Sequence, residues 1–446
     1  LLLVILICLT PLSGKADWPT KIWTQVRANS VIADITGDGK NEVVIATMAK
    51  DNISKVYVLD DSGRNLPGWP KSFFEDQSNS MINNMGLAVA DFNGDGKQEI
   101  CFSSGFGGPG KIHLLNFKGE YLPGWPVTLD EKSKNVALAP VIADVDNDGK
   151  NEIIVGTCRP DAFYAYKVDG TIVNGWPRLV FGDGCGVIVG DFNNDKANEI
   201  IAWTSGQRFY GWKADGTILS TKNLGAFGNL SDCIVADIDN DGKYEIVAAT
   251  DKGKVFIWDA LTLTPYKGWA VPRELGNGFC NLSLADLDKD GKLDIIVNFV
   301  HKDKNEQGLI CIYKADGSTF HGWPQKLVSS HIYGELVVAD LDGDSLFEIM
   351  GVSVNGELHV WRSDGKYYEG YPQMPFGKKT TIFASPVLGD IKGNSCIDAL
   401  ITPYVKNNKA FLKAFDGPCE AKTILWTRHG YNNHNNRFLI NNSVKE

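Results

Sequence analysis

The chain has 446 residues, a formal net charge of −10, 43% hydrophobic residues and 47 glycines. It is longer than an ordinary single domain, yet no Pro/Ser-rich linker or charge run divides it, so one large turn-dense all-β domain is the economical reading. The acid excess and the lack of a Lys/Arg stripe exclude nucleic-acid binding.

Residues 1–16, LLLVILICLTPLSGKA, form an apolar run followed by small residues, like the hydrophobic part of a secretory signal with cleavage near Ala16. The run is too short to span a bilayer, and the sequence opens without an initiator Met, so we read it as an N-terminally truncated signal peptide. The expectation is a secreted, extracellular protein, or a periplasmic or cell-surface one, without a transmembrane segment. Residues 17–431 then form the repeating domain, and residues 432–446 a C-terminal tail.

Within that domain an aspartate-rich loop recurs eight times between short apolar runs, 46–57 residues apart. The copies read DITGDGKNE, DFNGDGKQE, DVDNDGKNE, DFNNDKANE, DIDNDGKYE, DLDKDGKLD, DLDGDSLFE and DIKGNSCID. A fixed period of this length marks a repeat architecture. Calcium takes six to eight oxygens in a flexible shell. Oxygens from the first, third and fifth residues converge on one centre, and glycine at the sixth permits the sharp turn. An acid stands at the ninth position in every copy.

The candidate ligands are Asp34, Thr36, Asp38 and Glu42 in the first copy and Asp91, Asn93, Asp95 and Glu99 in the second. Asp144, Asp146, Asp148 and Glu152 follow in the third, and Asp191, Asn193, Asp195 and Glu199 in the fourth. The fifth has Asp237, Asp239, Asp241 and Glu245; the sixth has Asp286, Asp288, Asp290 and Asp294. The seventh has Asp340, Asp342, Asp344 and Glu348. Lys196 and Ser345 replace the glycine in the fourth and seventh copies, and Lys392 and Asn394 degrade the eighth. We therefore expect Ca2+ at about five strong and two weaker sites, with the eighth loop empty.

An EF-hand loop needs its last acid at position twelve and flanking helices. Here the acid runs into EVVIAT, EIIVGT or EIVAAT, which are strand sequences, so each loop joins two strands of a hairpin. A third strand ending in Asp-Gly or Lys-Gly follows, as in KVYVLDDSG and LICIYKADG. A Gly-aromatic-Pro mark then opens a fourth, outer strand, and its tryptophans are expected to pack between neighbouring units.

Four antiparallel strands per unit describe a β-propeller blade. The loops resemble the FG-GAP or VCBS-type repeats of integrin α-subunit propellers and of secreted bacterial calcium-binding propellers. The resemblance implies an all-β propeller of four-stranded antiparallel blades, eight in number with seven as the runner-up. The missing outer strand can come from the N-terminal DWPTKIWTQV or from the C-terminal TILWTRHGY, closing the ring through the chain termini.

Removing Cys8 leaves eight cysteines, several of which fall in predicted strands as small buried hydrophobes, with Cys158 and Cys185 of adjacent blades as a candidate pair. No nucleophile elbow, zinc-protease motif or phosphate loop is present, and His113 and His359 fall within strand patterns. The functional expectation is a binding or adhesion module for an extracellular protein or glycan, with structural calcium. The alternative is a polysaccharide-active enzyme such as a lyase. Loops opposite the acid loops vary most, so ligand contact is expected near Phe106, His301, Lys302, His331 and Tyr333.

Overall fold

The computed structural model describes residues 21–22, 25–26, 30–48, 53–74, 86–104, 110–129, 135–136, 139–158, 160–223, 230–267, 269, 275–301, 307–328, 330–377, 380–402, 410–411, 413–415, 424–426 and 438–439. The signal-like segment, Phe106 and Lys302 lie outside them. Every regular element among the described residues is a strand, and the chain is an all-β protein of antiparallel blade-like sheets.

Each acid loop closes an antiparallel hairpin, and the eight hairpins lie in eight separate sheets. The second strand opens on the ninth-position acid in each, as in Glu42–Met48, Glu152–Cys158 and Asp294–His301. Across from that acid stands alanine or glycine: Ala33, Ala90, Ala143, Gly190, Ala236, Ala285, Ala339 and Gly389. A small partner leaves the acid room to fold back over the loop. The register therefore places the loop chemistry.

The third strand pairs with the second in all eight sheets, and among the described residues an outer strand follows in five. These outer strands are Lys71–Phe74, Val127–Thr128, Arg178–Leu179, Ile218–Asn223 and Gln325–Leu327. In the seventh repeat only an isolated bridge, Leu358 to Gln373, stands where the outer strand was expected.

The terminal segments part company. Lys21–Ile22 pairs antiparallel with Ala410–Phe411 of the last repeat, the position that the N-terminal alternative for the missing outer strand requires. The C-terminal segment goes to the opposite edge. Ile424–Trp426 pairs with Val337–Ala339, the first strand of the seventh repeat, and Phe438–Leu439 runs parallel to Val235–Ala236 of the fifth. A propeller's first strands are its innermost, so this segment lies on the axial side. The outer-strand role for TILWTRHGY is corrected: that segment meets a free inner edge.

First and last repeats also touch. Ile32, Val43, Ile45, Tyr57 and Leu59 form one buried cluster with Val387, Ile391 and Leu400. The Asn41 side-chain amide donates to the Asp390 carbonyl at 2.9 Å. Tryptophans join successive repeats as expected. The indole N–H groups of Trp69, Trp125 and Trp323 donate to the carbonyls of Phe117, Val168 and Ser363 at 2.7–2.8 Å, each in the next repeat's third-strand turn.

The candidate cysteine pair is not bridged. Cys158 and Cys185 are both free. The Cys185 thiol donates instead to the Asp183 carbonyl at 3.3 Å. Cys396 is disulfide-bonded, with its partner outside the described residues.

His113 and His359 are buried and structural. His113 lies between the hydroxyls of Ser104 (2.8 Å) and Tyr121 (2.7 Å), and His359 between those of Ser353 (3.3 Å) and Tyr367 (3.0 Å). Burial, with the Lys111 charge nearby, pushes the His113 imidazole down to about 3, while burial lowers His359 to about 4 against the opposing pull of Glu357. An unfolded histidine takes its proton near pH 6.5, so between there and pH 3 the unfolded state binds more protons than the folded one at this residue, and its contribution to stability falls with acidification. His113→Gln, which keeps a donor and an acceptor but cannot titrate, is expected to flatten the loss of melting temperature between pH 6.5 and 4. An equally steep loss in the variant would contradict this.

Candidate functional site

The acid loops are built by two carboxylates that fold the backbone around themselves. In every copy the first aspartate accepts the sixth-position amide, for example Gly39 to Asp34 at 2.8 Å and Gly149 to Asp144 at 2.9 Å. In every copy the ninth-position acid accepts the second-position amide, at 2.8–3.1 Å. The chain reverses through left-handed backbone at the fourth and sixth positions. Asn147, Asn240 and Lys289 have φ of 61°, 60° and 59°, and Gly149, Gly242 and Gly291 have φ of 83–86°. The fourth position escaped sequence reasoning, although its run of glycines and asparagines was the signal.

The remaining oxygens converge in four loops. Carboxylate oxygens of Asp144, Asp146 and Glu152 lie within 4.8 Å of one another, as do those of Asp237, Asp239 and Glu245. The same holds for Asp286, Asp288 and Asp290, and for Asp340, Asp342 and Asp344. Two of these groups retain a buried third-position oxygen without a hydrogen-bond partner, Asp146 Oδ1 and Asp239 Oδ1. Converging hard oxygens with unpaired buried lone pairs fit a divalent cation of calcium's type. Thr36 Oγ1 in the first loop is likewise buried and unpaired.

Copies with asparagine at the third position close differently. Asn93 donates to Glu99 Oε1 at 3.2 Å and Asn193 to Glu199 Oε1 at 2.7 Å, so these loops satisfy themselves internally. The triple-acid loops instead draw donors from later in the same repeat. Lys167 spans Asp146 and Asp148 at 2.7 and 3.3 Å, and Lys314 spans Asp288 and Asp290. Tyr266 donates to Asp239 at 2.6 Å and Tyr368 to Asp342 at 3.2 Å. None of these four donors was singled out from sequence, because each belongs to the third-strand turn or the segment after it.

Electrostatics mark the ninth position as the most costly. Burial, with the neighbouring aspartates, pushes Glu152 up to about 7 and Glu245 and Glu348 up to about 8. Glu42, Glu99 and Asp294 rise to about 7 for the same main reason, and Glu199 also rises. A cation among these oxygens would offset the burial and the repulsion that keep their protons on.

At the other end of the sheets the expected ligand contacts separate. Tyr333 is 42% exposed and packs between Phe279 and Phe383, with ring centroids 5.6 Å away on each side. His331 is only 5% exposed, with its ring 6.2 Å from Tyr333. His301 packs edge-on against Phe299 at 4.7 Å. Phe279 and Phe383 were missed from sequence.

Sheets, hairpins and acid loops together define a β-propeller. Residues 34–102 and 237–297 match the model of the FG-GAP-like repeat family, so the chain is a propeller protein carrying FG-GAP-like repeats. No curated protein sequence matches it. Among solved structures it is similar to the V. cholerae biofilm matrix protein Bap1, with a TM-score of 0.56 and 13% identity over 89% of this chain and 94% of that one. It is also similar to Saccharomyces cerevisiae Sqt1, with a TM-score of 0.57 and 12% identity over 89% and 97% of the two chains. A quinohemoprotein alcohol dehydrogenase from Comamonas testosteroni gives a TM-score of 0.59 at 12% identity, over 92% of this chain and 78% of that one. At these identities the likeness is one of fold.

The sixth position yields a direct test. Ser345 and Lys196 hold φ of 69° and 73°, where glycine stands in five other copies. Left-handed backbone costs an L-residue about 1 kcal/mol, so Ser345→Gly is expected to raise stability by up to that amount, and Gly149→Ala to lower it similarly. Denaturant melts showing Ser345→Gly to be the less stable would contradict the assignment.

Proposed function

We propose that this chain is a secreted, calcium-stabilised propeller of eight blades, closed by its N-terminal strand, that binds an extracellular protein or glycan on the face opposite its acid loops. The observation that carries the reading is the separation of the two chemistries. One end of the sheets holds converging carboxylates, two with buried unpaired oxygens; the other exposes an aromatic surface centred on Tyr333. Asp144, Asp146, Asp148 and Glu152, with their counterparts in the other loops, would hold Ca2+. The ion would cancel repulsion among acids that the hairpin register brings together. Such a role is structural, because the loops join short strands whose geometry the backbone amides already set.

Export is the compartment in which weak calcium sites fill. It is supported by the apolar N-terminal run, and no helix among the described residues is long and apolar enough to cross a membrane. The Bap1 likeness adds a fold precedent from a biofilm matrix protein.

A polysaccharide-active enzyme such as a lyase is the second reading, favoured by the adjacency of His331 and Tyr333. Release of unsaturated uronate from acidic polysaccharides, followed by ultraviolet absorbance, would establish it.

Binding of several ions to the folded state alone stabilises by mass action. Chelation is therefore expected to lower the melting temperature by about 10 °C or more, with recovery on adding calcium and not magnesium. Asp144→Ala should reproduce part of that loss. A melting curve unchanged by chelator would contradict the structural role of calcium.

A further inference from the structure

Phe279, Tyr333 and Phe383 each stand seven residues before the first aspartate of their loops, in the sixth, seventh and eighth repeats. The same position holds Gly184 in the fourth repeat and Leu230 in the fifth. The rings therefore form an arc along three consecutive blades, at the entry to the inner strands and away from the acid loops. Phe279 and Tyr333 remain 40% and 42% exposed, in a protein that fully buries Phe102, Phe163, Phe209 and Phe299. Adjacent exposed rings at one repeat position mark an interaction surface rather than scattered apolar residues.

The backbone beneath the arc is already committed. Asn281 donates its side-chain amide to the Tyr333 carbonyl at 2.9 Å, and Asn298 donates to the Ile332 and Gly334 carbonyls at 2.8 Å each. The Glu335 amide donates to the Ser385 hydroxyl at 2.9 Å. A peptide added as a strand needs free backbone groups on its host, and these are taken. Single-stranded nucleic acid also stacks on aromatic rings, but it needs a positively charged groove, and the chain carries a net charge of −10.

We propose that this arc is a stacking platform for an uncharged polysaccharide, a deepening that rests on the assignment of the ligand face above. A sugar ring presents C–H groups on its face, which meet the electron-rich face of an aromatic ring, and hydroxyls around its rim. Those hydroxyls both donate and accept, as does the Tyr333 phenol. The rings follow at 5.6 Å centroid spacings along three blades, turned 48° and 84° to one another, and suit a polymer whose successive sugars meet successive blades at different tilts.

The test is retention of the full chain, in calcium, on a panel of neutral polysaccharides, uronate polysaccharides and unstructured peptides, followed by titration calorimetry on whatever is retained. The variants are Phe279→Ala, Tyr333→Ala, Tyr333→Phe and, on the acid-loop side, Lys150→Ala. The expected result is retention on a neutral polysaccharide, weakened about tenfold by Tyr333→Ala or Phe279→Ala. Tyr333→Phe should keep most of the affinity, and melting temperatures should stay unchanged. Retention only on a uronate or peptide ligand, still weakened by Tyr333→Ala, would overturn the neutral-glycan class while leaving the ligand face intact. Glycan retention weakened by Lys150→Ala and not by the arc variants would overturn the face itself. No retention on any neutral polysaccharide would overturn the platform.

Discussion

The structure depends on one hydrogen bond repeated eight times: the ninth-position acid reaches back to the amide of the second loop residue. That bond fixes the reversal between the first two strands of every sheet, and so the register Ala33–Glu42 and its equivalents. It also buries a carboxylate beside two or three others, which is unfavourable unless something positive or hydrogen-bonding sits among them. The loops differ in how they meet this demand. Asparagine closes the second and fourth, lysine spans the third and sixth, and tyrosine donates to the fifth and seventh. Shared backbone and variable compensation together explain why one loop conformation survives eight different sequences.

The same loops connect neighbouring repeats. Asn198 donates to the Asp144 carbonyl at 2.7 Å, and Asn41 makes the equivalent bond to Asp390 between the first and last repeats. Indole-to-carbonyl bonds repeat the pattern farther out, where the tryptophan of one repeat reaches the third-strand turn of the next. Local hairpin chemistry and inter-repeat contact are thus made by the same short segments. Metal at the loops would act on both.

Much of this was legible in the sequence because the period exposes it. The acid at the ninth position and the β-branched run after it predicted a hairpin rather than a helix–loop–helix, and Glu152–Cys158 begins on that acid. The aromatic before proline was readable as inter-blade packing because it recurs at one phase. Reading failed where a contact is not periodic. The distance from Asp146 to Lys167 is a property of one repeat's turn, and the pairing of Ile424–Trp426 with Val337–Ala339 joins a tail to a strand nearly ninety residues away. Cys158 and Cys185 met the sequence criteria for a bridge, yet both thiols are free, and that of Cys185 donates to the Asp183 carbonyl. Phe279 and Phe383 were hidden for the opposite reason: they are periodic, but over three repeats only, and the variable loops around them drew the eye instead.

The ninth-position acid holds the loop through its backbone bond and would supply charge for a cation, two roles that can be separated. Glu152→Gln separates them, because the amide oxygen still accepts from Val145 while the charge is gone. The measurement is the melting temperature of this variant and its parent, each with calcium and with chelator. The chelated variant is expected to be at least as stable as the chelated parent, with a smaller gain on adding calcium. A chelated variant that unfolds well below its parent, or one that gains from calcium in full, would contradict it.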